Sequence, residues 1–129
     1  MRLLRRYHDC FEDAVICHGD FRPWNLVWRE RLPVGIIDFD NAFVGDPADD
    51  VAYALRTFLS YGFAPFEPGE LVRRTEVALA AYDRTFDVPA ILKREYERVE
   101  ERCRRNGWER ALANLPVERA WLAKHRNLF

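Results

Sequence analysis

The sequence predicts an α+β fold that is mostly helical, a small β element followed by four or five helices, and three observations carry that expectation. Two short apolar runs, Leu26-Val27-Trp28 and Val34-Gly35-Ile36-Ile37, flank the polar Arg29-Glu30-Arg31 and read as the strands of a hairpin. From Asp46 onward apolar residues recur at helical rather than alternating spacing. Prolines at 47, 68, 89 and 116 stand where helices would open, and there a missing N–H costs nothing. With 129 residues, 49% of them hydrophobic, the chain is large enough for one core and too apolar for disorder.

Taken in order, the first dozen residues read as a short helix with Leu3, Leu4, Tyr7 and Phe11 on one face. Ala14-Val15-Ile16-Cys17 is a brief strand leading into His18-Gly19-Asp20, and the hairpin follows. Asp46-Pro47 starts the next helix, Asp as cap and Pro at its first position, with Asp49 and Asp50 against the positive end of its dipole. Its buried stripe is expected to be Val51, Ala54, Leu55, Phe58 and Leu59, ending at Gly62. A helix from Pro68 buries Leu71, Val72, Thr75, Leu79 and Tyr82. Another from Pro89 buries Leu92, Tyr96, Val99 and Cys103 and stops at Gly107. Trp108 to Leu115 reads as a short helix, and Pro116 as the start of a last one.

Charge and cysteine usage narrow the partners. A formal charge of −1 gives no field that would gather nucleic acid or anionic lipid, and Trp24 and Trp28 have no basic patch between them. Cys10, Cys17 and Cys103 form no metal-ligand spacing and are expected as free thiols in a reducing cytoplasm. No signal-peptide core and no apolar run near ~18 residues is present, so no membrane role is expected.

The chemistry is concentrated in His18-Gly19-Asp20-Phe21-Arg22-Pro23-Trp24-Asn25 and in Asp38, thirteen positions beyond Asn25. A carboxylate such as Asp20 can orient a hydroxyl and take its proton. Asn25 and Asp38 are the hard oxygen ligands that Mg²⁺ shares with phosphates. Two short strands and a turn fill the interval between them, so a hairpin would return both side chains to one end. Pro23 stiffens the loop and biases Arg22 towards an extended backbone.

His18-Gly19-Asp20-x-x-x-x-Asn25, then Ile36-Ile37-Asp38-Phe39-Asp40, then Gly45-Asp46-Pro47-Ala48-x-Asp50-Val51-Ala52 resembles the aminoglycoside phosphotransferase and choline kinase group of the protein-kinase-like fold. The resemblance covers about residues 15 to 55 in order and spacing. It implies a C-terminal, catalytic lobe spanning residues 1–129, with Asp20 as catalytic base and Asn25 and Asp38 as Mg²⁺ and nucleotide ligands. His18 and Asp46 would shape the loop and the following helix, and His18 is grouped with Asp20 as catalytic. Asp38-Phe39-Asp40 stands where many kinases have Asp-Phe-Gly, and Asp40 is divided between metal support and a solvated turn. The implied reaction is ATP-dependent phosphorylation of a hydroxyl on a small, aminoglycoside-like or choline-like acceptor. The alternative is a non-catalytic remnant or binding module that keeps the fold.

No G-x-G-x-x-G or G-x-x-x-x-G-K-[ST] is present, and the lysines, Lys93 and Lys124, both lie late in the chain. The nucleotide-clamping N-terminal lobe is therefore expected to be absent from these residues. Helices and hairpin that would face it should expose apolar surface, inviting self-association or a partner. Glu67, Glu70, Asp83 and Asp87 are either solvated helix ends or part of an acidic groove for a cationic acceptor. His8 and His125 are expected to be structural.

Overall fold

A computed structural model describes residues 1–129. Helix α1 (Arg2–His8) leads through a loop to β1 (Ile16–Cys17). The His18–Asp20 turn and a 3₁₀ turn (Pro23–Asn25) follow, and then the hairpin of β2 (Leu26–Arg29) and β3 (Leu32–Ile36). After β4 (Phe43–Val44) the chain is helical: α2 (Pro47–Leu59), α3 (Pro68–Tyr82), α4 (Val88–Asn106) and α5 (Glu109–His125).

The two β ladders set the position of everything polar. In the hairpin, Leu26 faces Ile36 and Val27 faces Gly35, with a bulge before Trp28 meets Pro33. Its two-residue turn, Glu30 and Arg31, has both residues at positive φ (50° and 67°), the backbone that matches strand twist in tight hairpins. Separately, β1 pairs antiparallel with β4, Ile16 opposite Val44 and Cys17 opposite Phe43. That second ladder brings the start of α2 back beneath the His18–Asp20 turn.

Helix α2 is the centre of the core. Val51, Ala52, Tyr53, Ala54 and Leu55 are buried in succession, which is how a helix surrounded on every side looks. Against it and one another pack Leu4 of α1, Leu71 and Tyr82 of α3, Leu92, Tyr96 and Val99 of α4, and Leu115 and Leu122 of α5.

Four expectations change. Phe58 is exposed and Leu59 only half-buried, because α2 is enclosed through its first three turns and emerges at its last. The helix stops on Ser60, left-handed at φ 48°, while Gly62 lies in the next turn, where a Cβ would press on Val117 at 3.1 Å. Pro116 does not open a helix; it sits inside α5. The lost backbone bond there costs about 3 kcal/mol. A face continuous through the proline, Leu115 and Leu122 in the core with Glu118 bound to Arg56 at 2.7 and 3.1 Å, offsets it. Helix α4 begins one residue before Pro89, capped by Asp87 Oδ1 on the Ala90 N–H at 3.0 Å.

Candidate active site

The His18–Asp20 turn is held from beneath by α2. Asp50 is 1% exposed, and its carboxylate accepts the His18 N–H at 2.5 Å and the Gly19 N–H at 2.8 Å. The same group binds His8 Nε2 at 3.0 Å, and His8 Nδ1 pairs with the Tyr82 hydroxyl at 2.6 Å. A buried carboxylate survives only when its lone pairs are used this fully. Gly19 takes φ +75°, and a Cβ there would lie 2.2 Å from the Asn41 carbonyl oxygen, so no side chain fits.

His18 joins the turn to the end of β3. Its ring is fully buried beside Phe39, with ring centroids 4.8 Å apart. Nδ1 accepts the Asp20 N–H at 3.2 Å, which assigns the proton to Nε2, and Nε2 donates to the Ile37 carbonyl at 3.0 Å. Both ring nitrogens are thereby committed within the protein, one to the Asp20 N–H and the other to the Ile37 carbonyl.

Asp20 is itself 2% exposed and saturated with donors. The Tyr53 hydroxyl donates to Oδ1, and the Arg22 guanidinium and Asn25 Nδ2 donate to Oδ2, the last at 2.9 Å. Asn25 Nδ2 also reaches the Asp20 carbonyl at 3.0 Å. Burial, and next the bond to Asp20, hold the Tyr53 hydroxyl well above the ordinary phenol range, so it stays a donor. The Arg22 side chain is one-third exposed and lies over Trp24 at 5.2 Å, which makes it the outermost of the three donors.

The hairpin brings the backbone just before Asp38 against Asn25. The Ile37 N–H donates to the Asn25 carbonyl at 3.0 Å, one step beyond the Leu26–Ile36 pair, and Asp38 follows immediately. Asp38 is exposed in left-handed backbone, φ 67°, and its carboxylate makes no hydrogen bond. With Nδ2 of Asn25 committed to Asp20, the Asn25 Oδ1 is the atom left to act as a ligand. An amide oxygen and a carboxylate oxygen are hard donors, of the kind that suit Mg²⁺. Asp40 is exposed in the turn after Asp38.

A second cluster, His8, Cys17 and Asp50, has its donor atoms within 4.8 Å of one another. Burial pushes the Cys17 thiol up to about 12, and the thiol donates to the Asp46 carbonyl at 3.2 Å. Here the Asp50 carboxylate is already committed to His8 and to the His18 and Gly19 N–H groups, so the cluster ties α1, β1 and α2 together.

The remaining sequence candidates resolve simply. Asp46 caps α2, its Oδ1 accepting the Ala48 N–H at 2.9 Å; the residue that shapes the loop is Asp50, one helical turn on. Asp87 is a cap, Asp83 a left-handed helix end, and Glu67 the residue before α3. Glu70 binds Arg73 and Arg74, whose hydrogen bonds hold its carboxyl down at about 2. Each of the four therefore stands at a helix end. Sequence reasoning missed Asp50, Tyr53 and Arg22 as members of the site. For the first two a signal existed: they are three apart, on the α2 face that must meet the loop.

A family model, that of the phosphotransferase enzyme family (APH), matches residues 2–91, from the first residue of α1 to the first turn of α4. No curated protein and no solved structure matches the chain.

Proposed function

Because the chain belongs to the phosphotransferase enzyme family, we propose that it carries the hydroxyl-activating and metal-holding half of a kinase-type active site. It would transfer the γ-phosphoryl of ATP to a hydroxyl of a small, aminoglycoside-like or choline-like acceptor. One observation carries this reading above the others: Asp20 and Asn25, five residues apart, are joined side chain to side chain at 2.9 Å. The strand that ends at Asp38 closes its ladder on that same Asn25.

In this reaction the acceptor hydroxyl takes the place of the Arg22 guanidinium on Asp20, the outermost donor of the three. Tyr53 and Asn25 keep the carboxylate aimed. As the acceptor oxygen bonds to the γ-phosphorus, its proton passes to Asp20 and the bond to the ADP oxygen breaks. Arg22, released but tethered two residues away, supplies positive charge at the same place. Asn25 Oδ1 and the Asp38 carboxylate would hold Mg²⁺, which when bound offsets the charge of the phosphates.

Around this end the chain exposes Trp24, Val27, Trp28, Leu32, Val34, Ile37 and Phe39, which supports a partner surface here. The partner we propose is a nucleotide-clamping lobe, or a second copy of the chain in its place. No helix is long and apolar enough to cross a membrane.

The test is ATP-dependent phosphorylation of a panel of amino-sugar and amino-alcohol acceptors, with and without candidate clamping lobes. Asp20→Asn should lower turnover by roughly 10²-fold or more, measured at a temperature where wild type and variant are both folded, because the buried carboxylate also accepts from Tyr53, Arg22 and Asn25. Failure to bind Mg·ATP or turn over in every combination would favour the non-catalytic binding module.

A further inference from the structure

Helix α4 reaches the candidate base from beyond the matched segment. Arg102 Nη1 donates to the Gly19 carbonyl at 3.3 Å, a contact spanning 83 residues. The N–H of that same peptide unit, on Asp20, is the one His18 accepts. The plane leading into Asp20 is therefore held at both edges, by His18 on one side and by Arg102 on the other.

Next to Arg102 lies Glu95, 4% exposed, with Oε1 bonded to nothing. Glu95, Arg102, Arg98, Tyr53 and Gly19 line one small cavity of about 10 Å³. An ionised carboxylate without a donor is expensive in such a place, which favours the neutral acid. The charged and titratable groups facing it come from three helices. From α2 they are Asp49, Asp50, Tyr53 and Arg56; from α4 itself Tyr96, Arg98 and Arg102; from α5 Glu118, behind Arg56. Two of the three guanidinium groups already have carboxylates: Arg56 is chelated by Glu118, and Arg98 lies on Asp49 at 2.5 Å. Arg102 alone holds only a neutral carbonyl.

We infer that Arg102 is a positioning residue for Asp20 and that Glu95 governs it. With Glu95 protonated, Arg102 pins the Gly19–Asp20 peptide; with Glu95 ionised, Arg102 turns to the carboxylate and releases it. Burial, partly offset by Arg56, Arg98 and Arg102, pushes the Glu95 carboxyl up to about 7, so neutral solution spans both states. Only the kinetic consequence rests on Asp20 being the base.

The experiment is amide NMR and hydrogen exchange of Gly19 and Asp20 in the full chain from pH 5.5 to 8.5. Wild type should show one transition near neutrality, with protection falling roughly 5-fold beyond the intrinsic pH effect, the weight of one modest hydrogen bond. Glu95→Gln should keep the low-pH spectrum throughout. Arg102→Met should show the released spectrum throughout, and Arg102→Lys should recover part of the low-pH protection. A flat wild-type profile, or a transition that persists in Glu95→Gln, overturns the inference. If phosphotransfer is measurable, the ratio of kcat in wild type to that in Glu95→Gln should fall across the same midpoint. Absence of phosphotransfer would refute the proposed reaction, while the NMR transition would still decide the coupling between Glu95 and Arg102.

Discussion

Asp49 and Asp50 are neighbours in the first turn of α2, yet replacing each by Asn should have very different effects. Asp50 accepts two backbone N–H groups and His8 through a fully buried carboxylate. Asn offers one oxygen in place of two and turns an N–H towards donors that need an acceptor. Hydrogen bonds to a charged group contribute about 1.5–3 kcal/mol each, and a stranded buried donor costs about 1–3 kcal/mol. The sum for Asp50→Asn is a loss of about 3–5 kcal/mol, a large share of the ~5–15 kcal/mol that holds an ordinary domain together. For this size that lowers Tm by about 10–20 °C. Asp49 meets Arg98 at the surface, with side chains 22% and 34% exposed, and Asp49→Asn should cost under ~1 kcal/mol. Urea denaturation followed by circular dichroism gives both values, and hydrogen exchange at His18 and Gly19 locates the damage. Equal midpoints for the two variants, or unchanged protection at Gly19 in Asp50→Asn, would refute the reasoning.

Gly19→Ala combines a left-handed backbone with a Cβ 2.2 Å from the Asn41 oxygen, and should lower the unfolding free energy by about 2–4 kcal/mol. Gly107→Ala, at φ +67° with nothing within 4 Å, should cost only about 1 kcal/mol in the same denaturation series. For Glu95 the sign follows from a folded value near 7, raised above the unfolded 4.5. Its stabilising contribution is complete below about 4.5 and disappears as pH rises through 7. Between pH 5 and 8 wild type should therefore lose about 2–3 kcal/mol relative to Glu95→Gln; a constant difference between the two would contradict this.

Most of the helices were legible because their signals are local. Asp46-Pro47 reports a cap and a first turn without reference to anything distant, and so does Gly107 at φ +67°. Pro116 misled because the local rule was overruled from afar: α5 runs through it on a face fastened to α2 by Glu118 and Arg56. Phe58 misled in the same way. Periodicity gives the direction of a side chain but not where the neighbouring helices end, and α2 leaves its enclosure just there.

The candidate site divides along the same line. The sequence by itself singled out Asp20, Asn25 and Asp38 as the candidate reactive set, because their spacing is covalent and one hairpin spans it. It also determined that Gly19 and Asp46 stand where they must. Only the tertiary structure decided which groups hold the Asp20 carboxylate and its turn in place. Asp50 and Tyr53 rise from α2 beneath the turn, and Arg102 reaches Gly19 across 83 residues. The physical reason is that a buried carboxylate or carbonyl must be satisfied by whatever donor the packing brings near, and packing between distant elements leaves no periodic mark along the chain.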